Sequence, residues 1–211
     1  MSVAQAVGEY EYTNDWFEQN VPVWDVLIPQ YEPQKFLEIG SYEGRSVCYL
    51  IEKFATKGPI EIDCIDTWAG GVEHGEIKMS DVERRFDKNI AIAQSKVPNA
   101  ARVTKHKTFS HIAMAELIAA GRANSFDVVY IDGSHQAPDV LSDCVMGFHL
   151  LRVGGLMICD DYVWSMEPIG SQDSLNMPKP AIDAFLNMFQ RKMIMVRGAP
   201  IYQVYAAKTG A

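Results

Sequence analysis

The sequence predicts a doubly wound α/β fold whose seven-stranded sheet is mostly parallel, ends in an antiparallel hairpin and carries helices on both faces. Three observations predict it. From about residue 35 onward, short apolar runs alternate with helix-length stretches, the signature of repeated βαβ units. The runs are apolar throughout rather than at every second residue, as in strands buried on both faces. The last two runs are joined too closely for a crossover, which leaves an antiparallel pair.

The elements follow in order. Residues 35–39, Lys-Phe-Leu-Glu-Ile, form the first strand, and Gly40 and Gly44 then turn the chain into a helix over 44–55. A second strand at 60–65 gives way to a polar loop at 69–80, with Gly70, Gly71, His74 and Gly75, and to a helix over 79–96. Strands at 102–106, 126–131 and 156–159 flank helices at 110–120 and 138–151. Beyond them the rhythm changes. A helix at 180–189 precedes strands at 192–196 and 202–206, linked through Arg197-Gly-Ala-Pro200. Residues 1–34 differ in character, with Trp16, Phe17, Val21, Val23, Trp24 and Leu27 around Pro22. They are expected to form a helical cap on a sheet domain spanning 35–211, and a lid over the ligand is the alternative.

A chain of 211 residues with 48% hydrophobic and 22% charged residues suits one globular domain with a modest cap. A net charge of −8 argues against general nucleic-acid binding, which needs a basic surface. No apolar run approaches the roughly 18 residues of a membrane span. The first residues carry Glu9 and Glu11 but no basic stretch, so no signal peptide is expected and the location reads as cytoplasmic. Cys48, Cys64, Cys144 and Cys159 contain no C-x-x-C pair, which fits buried free thiols in a reducing compartment better than a zinc site.

In doubly wound sheets, ligands bind beyond the carboxyl ends of the strands. Those ends carry Glu38 and Gly40, then Asp66-Thr67-Trp68, then Asp132-Gly-Ser-His135, then Asp160-Asp161. Acids that cap turns explain one or two of these; so many on one rim points to a site. The loop Glu38-Ile-Gly40-Ser41-Tyr42-Glu43-Gly44-Arg45-Ser46 lacks both the dinucleotide glycine pattern and a phosphate-loop Lys-Ser/Thr. A carboxylate before the turn opposes a pyrophosphate but suits an ammonium group or ribose hydroxyls. Asp66 follows Gly44 by 22 residues, where an acid on the second strand meets a ribose. Together they favour an adenosine ligand without phosphate, for which S-adenosylmethionine is the candidate. Ser110 borders the adenine in this reading, or else simply caps its helix.

Asp132, Asp160 and Asp161 offer hard oxygen ligands suited to Mg²⁺ or another divalent cation. The alternative is that Asp161 turns away, since neighbouring strand residues face opposite sides. His135, three residues after Asp132, is placed to act as a general base, with a capping role as the alternative. His106, His111, His149 and Asp143 read as structural.

Three stretches resemble the class I S-adenosylmethionine-dependent methyltransferases: Phe36-Leu-Glu-Ile-Gly-Ser-Tyr-Glu-Gly-Arg-Ser46, Tyr130-Ile-Asp-Gly-Ser-His135 and Gly154-Gly-Leu-Met-Ile-Cys-Asp-Asp-Tyr162. Lys179-Pro-Ala-Ile-Asp-Ala-Phe-Leu186 is also similar to the helix that follows in that superfamily. Within it the chain is most similar to small bacterial metal-dependent O-methyltransferases of the macrolide-sugar and natural-product type. The resemblance implies a Rossmann-like fold, with Glu38, Gly40, Ser41, Tyr42, Gly44, Ser46, Asp66, Thr67, Trp68, Ser110 and Asp132 around the cofactor. It implies a divalent cation on Asp132, Asp160 and Asp161, with His135 and Asp132 in catalysis. The implied partner is a small molecule bearing a hydroxyl (a sugar, polyketide or catechol), with neither nucleic acid nor membrane involved and a homo-oligomer allowed. Ala137 and Pro138 depart from the group, which often has an aromatic residue two positions after the histidine. A metal-independent N- or C-methyltransferase and a non-catalytic nucleoside-binding module are the competing expectations.

Overall fold

The computed structural model describes residues 9–75, 77–97 and 101–211; the first eight residues of the expected cap lie outside it. Seven strands form one sheet in the order β3-β2-β1-β4-β5-β7-β6. They are β1 (Lys35–Ile39), β2 (Ile60–Asp66), β3 (Ala101–Lys107), β4 (Phe126–Ile131), β5 (Leu151–Cys159), β6 (Met193–Met195) and β7 (Val204–Lys208). The first five run parallel. β7 enters antiparallel beside β5, and β6 pairs antiparallel with β7 at the edge. The hairpin therefore folds inward, with its second strand completing the sheet next to β5.

Helices α1 (Val21–Leu27), α2 (Arg45–Phe54) and α3 (Met79–Lys96) cover one face, and α4 (Ser110–Ala119), α5 (Ala137–Leu150) and α6 (Lys179–Met188) the other. Period-two alternation distributes the strand residues between two cores. Phe36, Val128, Tyr130, Leu156 and Ile158 pack with α1 to α3, whereas Leu37, Ile39, Val129, Ile131, Met157 and Cys159 pack with α4 to α6. The helices answer with buried positions three and four apart, such as Val47, Leu50, Ile51 and Phe54 on α2, the spacing of one helical face. β5 begins five residues before its apolar run at Leu156. The extra length is irregular: pairing with β4 shifts register between Phe126 and Val128, beside Gly154 with φ +80°.

The segment before β1 consists of α1 between two short 3-10 turns, Glu18–Asn20 and Ile28–Tyr31. Phe17, Trp24, Leu27 and Ile28 sink into the core under α2. Trp24 is fully buried, edge-on to Phe17 at 4.8 Å and to Tyr130 at 4.9 Å. Upstream, residues 10–16 run across α2 and α3. Asn89 of α3, fully buried, accepts from the Glu11 N–H at 2.8 Å and donates to the carbonyls of Glu11 and Glu43, both at 2.9 Å. Thr13 adds two hydrogen bonds to the Glu43 carboxylate, from its N–H at 2.7 Å and its hydroxyl at 2.9 Å.

Candidate active site

Strand order reverses between β1 and β4, so the loops leaving these neighbours diverge and open a crevice. The chain must turn sharply there. Gly40 has φ +84°, and a Cβ at that position would lie 1.8 Å from the Asp132 carbonyl oxygen. Only glycine lets the two loops pass. Tyr42 also has positive φ, at 45°, in a conformation costly for a bulky side chain. Asp66 at the end of β2 holds this turn. Its Oδ2 accepts from the N–H groups of Ser41 at 3.0 Å and Tyr42 at 2.9 Å, while Oδ1 accepts from the Trp68 N–H at 2.7 Å. Trp68 Nε1 closes the circuit by donating to the Tyr42 carbonyl at 2.9 Å.

Glu38 points into the α2–α3 side of the sheet, 1% exposed, and accepts from the hydroxyls of Ser46 and Ser41. Burial pushes its carboxyl up to about 8, against the lowering effect of the two serines. Its main partners are therefore the hydroxyls that shape the loop from below.

A cavity of about 420 Å³ opens above the loop, bounded by Gly40, Ser41, Tyr42 and Ser46 on one side and by Asp132, His135, Asp160 and Asp161 on the other. Of the residues expected around the cofactor, Gly40, Ser41, Tyr42, Ser46 and Asp132 line it directly. Glu38, Gly44, Asp66, Thr67, Trp68 and Ser110 lie outside its wall. Ser110 is the first residue of α4, with Phe109 in the N-cap position; the buried acid Asp143 has its carboxyl raised to about 7 by desolvation, against the lowering effect of Ser110.

The acidic wall is tightly connected. The Tyr130 hydroxyl lies 2.8 Å from Asp132 Oδ2 and in short contact with Asp160 Oδ2. Asp160 also accepts from Gln203 Nε2 at 2.7 Å and from the Asp161 N–H at 2.8 Å. Trp24 Nε1–H can only donate, and it reaches Gln203 Oε1 at 2.9 Å. That contact fixes which end of the Gln203 amide faces Asp160. Asp161 adopts φ +55°, which turns its carboxylate to His135 Nε2 at 2.7 Å and to the Tyr202 hydroxyl at 2.8 Å. The Trp164 ring lies against His135 with centroids 4.1 Å apart.

These acids disfavour one another's charge. Burial, followed by the charges of Asp160 and Asp161, drives the Asp132 carboxyl well above the usual carboxylate range. Burial and Asp161 lift Asp160 to about 6. A proton or a cation must answer that accumulation. One ligand atom from each of Asp132, His135 and Asp161 lies within 4.8 Å of the others, a donor set a divalent cation could bridge. Asp160 borders that trio, with its carboxylate turned to Tyr130, Gln203 and the Asp161 N–H.

Several wall residues carried no signal in the sequence. Tyr202 arrives on the approach to β7, followed by the buried Gln203 that bonds Asp160, and Tyr12 and Asn14 come from the N-terminal segment. Tyr130 was legible in principle, because it shares with Val128 the face opposite Val129 and Ile131.

The crevice, the glycine loop and the acidic strand ends lie where a doubly wound sheet binds its ligands. Residues 37–162 match the family model described as the methyltransferase domain, and the chain belongs to that family. An uncharacterized protein, R132, of Acanthamoeba polyphaga mimivirus is 27% identical over 129 residues, 60% of this chain. This chain spans about half of that relative, 51% of its length. Among solved structures, the O-methyltransferase TomG from Streptomyces achromogenes, involved in tomaymycin synthesis and bound to S-adenosylmethionine, superposes with a TM-score of 0.59 at 18% identity. The match covers 89% of this chain and 78% of TomG. MycE of mycinamycin biosynthesis, in complex with Mg, S-adenosylhomocysteine and mycinamycin VI, gives 0.57 at 17% identity over 94% of this chain and 51% of its own. At such identities the likeness is one of fold. No helix among the described residues is long and apolar enough to cross a membrane.

Proposed function

We propose that this protein transfers the methyl group of S-adenosylmethionine to a hydroxyl of a small, uncharged acceptor, with a divalent cation at the acidic wall. One observation carries the reading: the glycine loop and the cluster of Asp132, His135, Asp160 and Asp161 face each other across one cavity. A methyl donor on the first and an oxygen nucleophile on the second would meet in line. The named fold neighbours, one holding S-adenosylmethionine and one holding Mg and a natural product, support the choice of donor, cation and acceptor type.

Gly40, Ser41, Tyr42 and Ser46 line the donor side, and Asp66 keeps their backbone in place. Glu38 supports the loop from beneath, and Trp68 closes it through the Tyr42 carbonyl. The oxygen attacks the methyl carbon as the carbon–sulfur bond breaks, and the electron pair leaves on the neutral thioether. The hydroxyl proton passes to His135, which Asp161 orients. Asp132 and Asp161 would hold the cation and leave His135 to the proton, with Asp160 beside them engaged by Tyr130, Gln203 and the Asp161 N–H; when bound it lowers the pKa of a nearby hydroxyl. Much of the remaining acceleration is proximity and alignment. Tyr12, Asn14, Trp16, Phe17 and Gln19 bring the N-terminal segment over the cavity, and the four free cysteines suit a reducing cytoplasm.

A metal-free route has one observation in its favour. Asp160 already accepts three hydrogen bonds, so protons alone could relieve the acids. Methyl transfer from labelled donor to a panel of sugars, catechols and polyketide alcohols tests the function. Turnover that vanishes with a chelator and returns with Mg²⁺ supports the cation; full turnover in chelator selects the metal-free route. Binding of S-adenosylhomocysteine without transfer to any acceptor in the panel would favour a nucleoside-binding module.

A further inference from the structure

The charges around the cavity are unevenly placed. Glu43, Asp132, Asp160 and Asp161 contribute to its wall, and Arg45 is the one lysine or arginine among the described residues that does. The donor proposed above carries positive charge on its sulfonium and α-ammonium groups and negative charge only on its carboxylate. The acidic wall suits the first two and opposes the third.

We infer that Arg45 anchors the α-carboxylate of the cofactor's amino-acid end. It is the first residue of α2, directly after Gly44 with φ +76°, so its guanidinium sits where the glycine loop becomes a helix. A cation there opposes the positive end of the helix dipole, and an anion beside it relieves both charges. Its Nη1 is paired with Glu18, whose side chain is 60% exposed. Such a pair is screened by water and exchanges readily. Nε–H is buried with no hydrogen-bond acceptor among the described residues, so the donor capacity of the guanidinium is incompletely used. The Tyr12 ring lies 4.1 Å from the guanidinium carbon and restrains the plane of the fork, the feature that distinguishes arginine from lysine in gripping a carboxylate.

The inference rests on the glycine loop being the cofactor site, and calorimetry with two probes separates the two claims. S-adenosylhomocysteine carries the carboxylate; 5′-methylthioadenosine has the same nucleoside without the amino acid. Arg45→Gln should weaken S-adenosylhomocysteine binding by about 10- to 100-fold, the range for a lost charge-assisted hydrogen bond, and leave 5′-methylthioadenosine unchanged. Arg45→Lys should recover part of the loss. Glu18→Gln removes a competitor and should leave S-adenosylhomocysteine affinity equal or tighter. Equal losses for both probes, or a loss with Glu18→Gln as large as with Arg45→Gln, would show that Arg45 only shapes the loop and would overturn the inference. So would unchanged S-adenosylhomocysteine affinity in Arg45→Gln. Wild-type protein that binds neither probe removes the cofactor site and the anchor together.

Discussion

Single residues divide the site into a part that binds and a part that reacts. His135 is held by Asp161 on the acidic wall, away from the loop that Asp66 holds. His135→Ala should therefore lower turnover by about 10²–10⁴-fold, the range for general acid–base catalysis, while calorimetry finds S-adenosylhomocysteine affinity little changed. Asp66→Ala should do the reverse. Three backbone N–H groups lose a charged acceptor, each such bond being worth about 1.5–3 kcal/mol, and the loop should loosen enough to weaken binding at least tenfold. At this scale the sequence was partly legible. Asp132, His135, Asp160 and Asp161 stand at strand ends, where acids advertise themselves. How Asp66 spends its carboxylate was not legible, because that depends on the loop curling back by a positive φ at Tyr42.

At the scale of elements, β1 and α3 each carry a buried polar group with a measurable signature. Glu38 on β1 is raised from 4.5 to about 8, so the folded protein binds a proton there that the unfolded chain releases. Its contribution to stability is complete below about pH 4.5 and is lost as pH rises to about 8. Glu38→Gln, which mimics the protonated form, should remove that component of the decline, as read from urea midpoints across the same range. Asn89 on α3 serves as a clamp for the segment crossing it. Asn89→Leu strands three backbone groups, one buried and two partly buried, and should cost roughly 2–4 kcal/mol, lowering Tm by roughly 5–15 °C. Strand and helix positions were readable because buried parallel strands are apolar without interruption. Asn89 was not: on a helix whose polar positions mostly face water, a polar residue on the buried face looks like any other.

For the whole molecule, the doubly wound class followed from the alternation of strands and helices, and the antiparallel hairpin from the short join before the last strand; the strand order, with β7 inside β6, is set by the fold. The strand-end side of the cavity followed from the glycine loop and the acids, but its far wall did not follow from any local pattern. The cavity is walled by residues far apart in sequence, Tyr12 and Trp16 from the N-terminal segment and Tyr202 from the approach to β7. Its acids also predict a response of the molecule as a whole. A divalent cation that binds only the folded form should raise Tm with concentration. Asp132→Asn should abolish most of that rise; an equal rise in the variant would place the cation elsewhere.

The hydrogen bond from Trp24 to Gln203 spans 179 positions of sequence, and this sets a limit on when the protein can become an enzyme during its synthesis. The ribosome delivers Trp24 first and Gln203 179 residues later. Until then the indole N–H of Trp24 has lost its water without gaining its partner, or the helix carrying it has not yet settled. Asp160 likewise waits for the amide that orients it. The nascent chain can assemble its parallel strands one after another, but the reactive wall is finished only when β7 slides in beside β5. Folding dominated by such distant contacts is slow, and a chain arrested before residue 203 should bind S-adenosylhomocysteine more readily than it can turn over any acceptor.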